Sequence, residues 1–315
     1  YLHVLDVLAY KLTASARSTR RLTAIFTILS IVSAMFLTND ITVLTLIPLY
    51  LTIAKRHNLP EILPVTLIGM GANIGAAFTP WGNPHNIFVV NRYNVSPLKF
   101  FSWSLPLLLV SLIIVLLFIF FVKDKPIPTV PLEDIRISVR PMVLTIAVSI
   151  FFFFGVFNIV PAYVPAIVAV ILALIINPSI MLHVDYALLL TFTCFFIFIS
   201  DIQQIPFIVT LISKTMFSEY SVFLTSIISS QFISNVPSTI LIGKFTNYAG
   251  ALFLGSNIGG FGSLVGSMAN MLVFKSFVEN GTVSKRKFFW VFSVLEFAGL
   301  IILTILGWIV LDFVI

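Results

Sequence analysis

Charged residues are scarce in this chain: they make up 10% of its 315 residues, whereas 59% of the residues are hydrophobic. Because soluble domains carry roughly 25% charged residues, this composition argues against a soluble protein. Apolar runs such as residues 105–122 and 288–315 approach or exceed the roughly 20 residues that a helix needs to cross a bilayer. The sequence therefore predicts an all-α polytopic membrane protein that lies in a lipid bilayer.

Cysteine is nearly absent, and so are the common motifs of catalysis. The single cysteine, Cys194, excludes an intramolecular disulfide, and its apolar neighbours predict a packed position in the core. HExxH, GxSxG and Cys/His clusters are missing, so the sequence gives no indication of an enzyme. The basic residues behind the net charge of +6 lie between hydrophobic segments, which indicates membrane topology rather than nucleic-acid binding. We expect no cofactor apart from Na⁺ or H⁺ as a coupling ion.

Four apolar segments are interrupted by polar residues. Residues 23–54 break at LTND and residues 222–245 break at ISNVPS. Each arm of the first segment, of about 15 residues, is shorter than a membrane span, and the second segment is broken in a similar way, which predicts two re-entrant helical hairpins. Residues 62–91 and 249–278 contain stretches rich in Gly and Asn, which predicts two interrupted transmembrane helices. Continuous spans are expected over residues 98–122, 141–157, 161–176, 186–200 and 288–313.

These interrupted segments form an internal repeat. FLTNDITVL (residues 36–44) aligns with FISNVPSTI (residues 232–240). GANIGAAFTPWGNPHN (residues 71–86) aligns without a gap with GSNIGGFGSLVGSMAN (residues 255–270). Two matches in the same order indicate a duplication, and the opposite membrane orientation of the copies makes it an inverted structural repeat.

The repeat divides the chain into three parts. Residues 1–122 form the first inverted repeat, residues 123–140 a cytoplasmic linker and residues 141–315 the second repeat. By comparison with the second repeat, we expect the first to lack about three amino-terminal spans. One side of this topology holds 14 of the 18 Lys and Arg residues, and the other holds only Arg92, Lys99, Lys214 and Lys244. The positive-inside rule then predicts a multi-pass cell-membrane protein whose first hairpin opens to the cytoplasm.

An interruption in a membrane helix exposes backbone groups that bind solutes. The free carbonyls at the end of one half-helix suit a cation, and the free N–H groups at the start of the next suit an anion. Asn side chains add donors and acceptors without the cost of burying a charge. Four such elements that converge by pseudo-symmetry predict one central site for an ion or small solute.

Three titratable residues have more than one interpretation. Asp40, at the first hairpin tip, is a proton carrier or cation ligand, or it is an N-cap. His85 binds a proton or an oxyanion, or it is a packed histidine with a hydrogen-bond partner. Glu296, among apolar neighbours in the last helix, is paired internally or lies at a dimer contact.

The motifs LTNDITVLTLIPL, GANIGAAFTPWGNPHNI and SNIGGFGSLVGSMANML resemble those of the ion transporter superfamily. This superfamily includes arsenite permeases, sodium/dicarboxylate symporters and certain sodium/proton antiporters. The similarity covers essentially the whole chain and is closest to arsenite-permease-like anion transporters. It implies a homodimeric secondary active transporter of a small anion or arsenite-like oxyanion, coupled to a proton or sodium gradient. It also implies that each protomer carries its own site and moves it by an elevator motion.

The hairpin tips differ from two patterns of the superfamily. Dicarboxylate symporters carry Ser-Asn-Thr at both tips, whereas this chain has Thr-Asn-Asp and Ser-Asn-Val, which argues against carboxylate specificity. Antiporter relatives often have Asp where this chain has Ser234. Sodium/proton antiport and a channel are the alternative functions.

The repeat and the resemblance together predict the residues of the site. The substrate-binding residues are Thr38, Asn39, Asp40, Asn83, Asn86, Ser234, Asn235, Ser238, Thr239, Ser267 and Asn270. The residues that bind or couple a cation are Asp40, Asn73, Gly75, Thr79, Asn257, Gly259 and Ser263. No catalytic residue and no structural metal site is predicted.

Overall fold

A computed structural model describes residues 16–127 and 139–314, apart from residues 158, 162, 185 and 203. This part of the chain consists of helices and connecting segments and contains no β-strand, which confirms the all-α prediction. The first seven helices are α1 (Thr19–Phe36), α2 (Asn39–His57), α3 (Ile62–Phe78), α4 (Pro84–Tyr93), α5 (Pro97–Ile119), α6 (Val139–Val156) and α7 (Tyr163–Ile176). A 3₁₀ helix (Pro178–His183) precedes α8 (Tyr186–Ile202), α9 (Pro206–Thr215), α10 (Glu219–Ile233), α11 (Asn235–Ile242), α12 (Ala249–Ile258), α13 (Met268–Asn280) and α14 (Lys285–Val314).

Three of these helices are long and apolar enough to cross a membrane. They are α1, α5 and α14, with 18, 23 and 29 residues in the apolar stretch. Exposed hydrophobic side chains such as Ile113 on α5 and Ile305 on α14 cover the outside of the molecule. Lipid chains solvate such a surface, whereas water does not, so the fold is that of a membrane protein.

The first pair of helices is longer than the sequence predicted. The chain breaks between α1 and α2 at Leu37 and Thr38, and the two arms have 18 and 19 residues. The additional turn of α1 arises because the Ser18 side chain accepts a hydrogen bond from the Arg21 backbone N–H and caps the helix. Length alone therefore does not make this pair a re-entrant hairpin, because α1 by itself reaches the length of a span.

The two interrupted helices begin and end close to where the sequence placed them. The first consists of α3 and α4, separated by residues 79–83, and Pro84 occupies the first turn of α4, where its missing N–H costs nothing. The second consists of α12 and α13, separated by residues 259–267. Within the second break, Gly262 has φ +100°, a conformation that glycine adopts without steric cost.

The broken elements pack against one another in two matching ways. Helix α1 contacts α3, and α10 contacts α12, so the first arm of each pair lies on the first half of the next broken helix. The second arms cross between the repeats, because α2 packs against α13 and α11 packs against α4. The four breaks are thereby brought together by packing between the two halves of the chain.

Close backbone contact holds the arms against the broken helices. An added Cβ at Gly75 would lie 2.0 Å from the Ile31 carbonyl oxygen, and one at Gly255 would lie 2.5 Å from the Phe223 carbonyl oxygen. No side chain fits at either position, so glycine is what allows α1 and α10 to approach so closely.

Two expectations are corrected in the second half. Helix α9 was not predicted, because its ten residues begin with a proline and are too few to form a span. Cys194 lies exposed on α8, so the expectation that it packs in the core is wrong. Helix α8 lies at the periphery of the described fold. Apolar neighbours in the sequence therefore do not bury Cys194, because apolar side chains also lie on protein surfaces.

Candidate substrate site at the helix breaks

Buried asparagines gather where the broken elements meet. Asn39 begins α2 and Asn235 begins α11, at the tips of the two arm pairs. Asn73 lies near the end of α3 and Asn257 near the end of α12, while Asn86 and Asn270 lie in the first turns of α4 and α13. All six have at most 6% of their surface exposed. Six buried amides require partners, because an unpaired buried amide is costly.

One network of hydrogen bonds is centred on Asn73. Its Oδ1 accepts from Asn39 Nδ2 at 3.2 Å and from the Ser267 hydroxyl at 3.3 Å. Its Nδ2 donates to Asn270 Oδ1 at 2.8 Å. The network joins the first tip and the end of α3 to the start of α13, where Asn270 lies 197 residues after Asn73 in the sequence.

A second network is centred on Asn257. Its Nδ2 donates to Asn86 Oδ1 at 2.9 Å and to the Phe253 carbonyl at 2.9 Å. Its Oδ1 lies 3.2 Å from His85 Nε2. Asn257 and Asn86 align with Asn73 and Asn270 in the repeat, so the same pair of positions is bonded across the two copies in each direction.

The ends of the two broken helices are closed in the same manner. Asn86 Nδ2 donates to the carbonyls of Ala76 and Thr79, at 3.1 and 3.0 Å. At the aligned positions, Asn270 Nδ2 donates to the carbonyls of Gly260 and Ser263, at 2.9 and 3.0 Å. The carbonyls that were expected to face a cation are therefore engaged by protein amides in this conformation.

Hydroxyl groups tie each break to the neighbouring arm. Thr79 Oγ1 donates to the Met35 carbonyl at 2.9 Å, and Ser263 Oγ donates to the Gln231 carbonyl at 3.0 Å. The indole Nε1 of Trp81 also donates to the Met35 carbonyl, at 2.8 Å. Each break is thus bonded to the first arm of its own repeat.

Gln231 is a site residue that the sequence did not reveal. Its Nε2 donates to the carbonyls of Gly259 and Phe261, at 2.8 and 3.1 Å, and its Oε1 accepts from the Ser263 N–H at 2.8 Å. The only signal was a polar residue inside an apolar arm, and the aligned residue of the first repeat, Met35, has no comparable side chain.

The tips present the remaining predicted residues in different settings. Thr38 caps α2 by accepting from the Ile41 N–H, and half-buried Asp40 occupies the first turn of α2. Ser234, also half-buried, has φ 69° and ψ 152°, a region that residues other than glycine rarely adopt. Asn235 donates its backbone N–H to the Gly266 carbonyl at 3.0 Å, which fixes the second tip to the second break.

The other predicted residues lie around these networks and are not all joined to them. Ser238 bonds to the Ser229 hydroxyl inside the second arm pair, and Thr239 Oγ1 donates to the Asn235 carbonyl at 2.6 Å. The Asn83 side chain is buried beside α4 but does not cap that helix. Gly75 and Gly259 act through the close packing of their Cα atoms against α1 and α10.

His85 is packed rather than open to solvent. It has no exposed surface, and Asn257 is the hydrogen-bond partner of its Nε2. In the part of the chain that is described, no group of three or more His, Cys, Asp or Glu residues is placed to hold a metal ion.

The chemistry of the cluster is neutral and polar. Its hydrogen bonds join amides, hydroxyls and backbone groups, with the ring of His85 at one edge. The starts of α4 and α13 add N–H groups that no earlier helical turn satisfies. Such a cluster is able to exchange its internal hydrogen bonds for bonds to a small solute, and it contains no nucleophile paired with a base.

Comparisons with known proteins point to transport. The profile of the CitMHS family, described as a citrate transporter, matches residues 2–250. The uncharacterized transporter MJ0456 of Methanocaldococcus jannaschii is 29% identical over 305 residues, which cover 95% of this chain and 82% of that protein. The inner membrane protein YbiR of Escherichia coli is 28% identical over 310 residues, which cover 97% of this chain and 81% of that protein.

Proposed function

Because the chain belongs to the citrate transporter family, we propose that it is a secondary active transporter of a small anion or arsenite-like oxyanion. The driving force in this proposal is a proton or sodium gradient. The family and its relatives are transporters rather than enzymes, in agreement with the absence of catalytic motifs from the sequence. Membership of this family also confirms the predicted ion transporter superfamily.

The buried asparagine cluster at the four breaks is the observation that carries the proposal. Non-helical backbone within a membrane is tolerated where it is enclosed by protein or lines a polar cavity, and such breaks are where transporters bind their substrates. Asn39 and Asn235 are the members of the cluster at the two tips, so they are the side chains we assign to direct contact with the substrate.

The neutral character of the cluster sets the proposed substrate class. Amide and hydroxyl donors, together with the starts of α4 and α13, favour a small anion or an undissociated oxyacid. A multiply charged anion would need cationic partners in so buried a place, and the networks contain none. Arsenite-like species and monovalent anions fit this donor set better than citrate in its fully ionised form.

We propose that the protein has an inverted repeat and exposes its site to the two sides of the membrane in turn by an elevator-type movement. The reciprocal bonds from Asn73 to Asn270 and from Asn257 to Asn86 support the repeat, as does the crossed packing of α2 on α13 and α11 on α4. In this proposal the breaks and arms move as one unit, since hydroxyl and glutamine bonds tie each break to its arm. The protein works as a homodimer in the cell membrane, with the first hairpin opening to the cytoplasm.

The decisive experiment is flux in proteoliposomes that contain the full-length protein. Radiolabelled arsenite, phosphate-like anions, citrate and dicarboxylates are compared under imposed proton and sodium gradients. We expect gradient-driven uptake of one of the monovalent or undissociated species, and loss of that uptake in Asn39→Ala and Asn235→Ala, because each variant removes a tip amide.

The matched control is Asn280→Ala, at the exposed end of α13, where the side chain bonds only to the Ser276 carbonyl of its own helix. This variant should transport like the parent. Sodium/proton exchange without anion flux would move the protein to the antiporter branch of the superfamily. Conductive flux that ignores both gradients would replace the transporter by a channel.

A further inference from the structure

Glu296 is a buried carboxylate that the site described above does not use. It lies on α14, has no exposed surface, and neither carboxylate oxygen has a hydrogen-bond partner of ordinary geometry in the described part of the chain. The backbone of Gly262, in the break between α12 and α13, lies near the carboxyl group. An ionised carboxylate without partners is among the most costly groups to bury in a protein or a membrane.

The charged and titratable side chains of the surrounding helices do not compensate Glu296. Helix α14 packs against α3, α5, α10, α12 and α13, and the segments α3 and α12 contain no titratable residue. The other three helices carry Lys99, Glu219, Tyr220, Lys275 and Glu279.

Those five groups have other environments. Glu219 is the first residue of α10, next to Tyr220. Lys275 pairs with Glu279 at 4.0 Å on an exposed face of α13, and Tyr220 bonds to Asp312 at the far end of α14. Lys99 is exposed near the start of α5, where it lies over the Trp103 ring. The basic residues that begin α14 end at Lys287, roughly 13 Å along the helix from Glu296 at 1.5 Å per residue.

Glu296 lies beside the segment that holds the asparagine cluster. Leu300, which lies four residues after Glu296 on α14, packs against Gly262. A Cβ added to Gly262 would lie 2.9 Å from Leu300 Cδ1 and 2.5 Å from Gln231 Oε1. The next residue, Ser263, accepts from Asn270 Nδ2, and Asn270 in turn accepts from Asn73. A change of charge at Glu296 therefore acts on the same backbone segment that positions the first network.

The carboxylate also breaks the symmetry of the repeat. The long helix that follows the first interrupted helix, α5, contains Ser104 and Ser111 but no acidic residue. One carboxylate per protomer is what a single coupling site requires, whereas a structural role common to both repeats would place a similar group in each.

We propose that Glu296 is the proton-binding residue that couples a proton gradient to transport. This inference rests on the proposed transport function and names its coupling ion. In the conformation described, the carboxyl group carries a proton and is neutral. When the segment 259–267 moves and water reaches the side chain, the proton leaves and the carboxylate is solvated. One proton is bound and released in each cycle, and no other bond changes.

The sodium alternative fits the same region less well. Asn73 Oδ1 already accepts two hydrogen bonds, and the carbonyls of Thr79, Gly259 and Ser263 accept from protein amides. A sodium ion would need several oxygen ligands, and protein donors already occupy these oxygens. A proton needs only the Glu296 carboxyl.

The first test measures the protonation state without any substrate. Infrared difference spectra of the purified full-length protein at neutral pH compare the parent with Glu296→Gln and with Glu279→Gln, the exposed matched control. We expect the C=O stretching band of a protonated carboxyl to be lost in Glu296→Gln and retained in Glu279→Gln. Identical spectra for the parent and Glu296→Gln would overturn the assignment.

The second test measures coupling in proteoliposomes, with the anion that the parent protein carries. Glu296→Gln imitates the neutral form, so anion counterflow should persist while anion-linked proton uptake falls to the level of empty vesicles. Glu296→Asp keeps a carboxylic acid in place and should restore proton uptake. That result would show that the site tolerates substitution. Anion-linked proton uptake that survives in Glu296→Gln would overturn the proposal.

The two proposals fail in different ways. If the parent protein carries no anion, the proposed function fails, and the infrared comparison still decides whether Glu296 holds a proton. If the parent carries an anion with sodium and without proton movement, the transport function stands and the role of Glu296 is overturned.

Discussion

At the scale of single residues, asparagine makes the candidate site because its amide both donates and accepts without carrying a charge. Asn73 shows the consequence: it accepts from Asn39 and Ser267 and donates to Asn270, so one side chain joins three elements. An aspartate there would bury a negative charge and lose the bond to Asn270, and an alanine would leave three polar groups without a partner.

Ser234 at the second tip yields a prediction about backbone strain. Its φ of 69° and ψ of 152° fall in a region essentially reserved for glycine, which costs a residue with a side chain about 1–3 kcal/mol. Ser234→Gly should raise the thermal stability of the purified protein, because glycine adopts this conformation freely. The same variant should lower uptake, because the predicted contact of the hydroxyl with the substrate is lost.

Ser234→Ala is the control for that experiment. It removes the hydroxyl but keeps the Cβ, so its uptake should fall while its Tm does not rise. Equal Tm values for the Gly and Ala variants would show that the tip is not strained, and unchanged uptake in both would remove Ser234 from the site.

At the scale of helices, close packing determines where the breaks lie. Helices α1 and α3 approach until the Cα of Gly75 contacts the Ile31 carbonyl, and α10 and α12 repeat the arrangement at Gly255. Backbone contact fixes each arm against its broken helix. The hydroxyl groups of the two breaks therefore donate to carbonyls at aligned positions, Met35 and Gln231, in the two repeats. The helix contacts thus place the polar residues, and the polar residues then close the helix ends.

Gly75→Ala tests the contact between α1 and α3. The added methyl group would lie 2.0 Å from a backbone oxygen, which cannot rotate away, so the helices must separate. We expect a loss of about 1–3 kcal/mol in stability, as for other overpacked cores. Thermal unfolding of the purified protein, together with uptake, measures the effect.

Gly299→Ala on α14 is the comparison variant. Its Cβ would meet the Cε atom of Met70 at 3.1 Å, the mobile end of a flexible side chain. This substitution should leave Tm nearly unchanged. A loss at Gly299 equal to that at Gly75 would contradict the distinction between backbone and side-chain contact.

At the scale of the whole molecule, helices of each repeat pack against helices of the other. Helices α2 and α11 each pack on a half-helix of the opposite repeat, and Glu61 before α3 accepts hydrogen bonds from the N–H groups of Thr282 and Val283 before α14. Neither repeat completes its own site, since Asn73 needs Asn270 and Asn257 needs Asn86. The site therefore belongs to the assembled fold and not to one half of it.

The predicted membrane orientation is testable by labelling at two exposed lysines. In a Cys194→Ser background, Lys244→Cys lies just after α11 and Lys287→Cys lies at the start of α14. An impermeant maleimide should label Lys244→Cys in intact cells, and Lys287→Cys only after permeabilisation, because basic residues collect on the cytoplasmic side. The Cys194→Ser parent measures the background signal, and the reverse pattern would invert the topology.

Sequence alone determined the class of the protein, because bilayer length and helix breaks leave local traces. The apolar runs predicted the spans, the repeated NIG and Asn motifs placed one break inside residues 62–91 and another inside residues 249–278, and the quoted motifs identified the superfamily. These features depend on neighbouring residues, so a linear pattern is sufficient to show them.

Only the tertiary structure decided which polar groups meet. Asn270, which bonds to Asn73, and Asn86, which bonds to Asn257, lie 197 and 171 residues away from them in the sequence. Gln231 gained its role from a break that it does not adjoin. Glu296 became an isolated buried carboxyl only when five helices packed around it. Cys194 was misplaced for the same reason, since an apolar neighbourhood in sequence does not say whether a side chain faces protein or lipid. Hydrogen bonding and burial are properties of contacts in space, and here the bonds from Asn73 to Asn270 and from Asn257 to Asn86 join one repeat to the other.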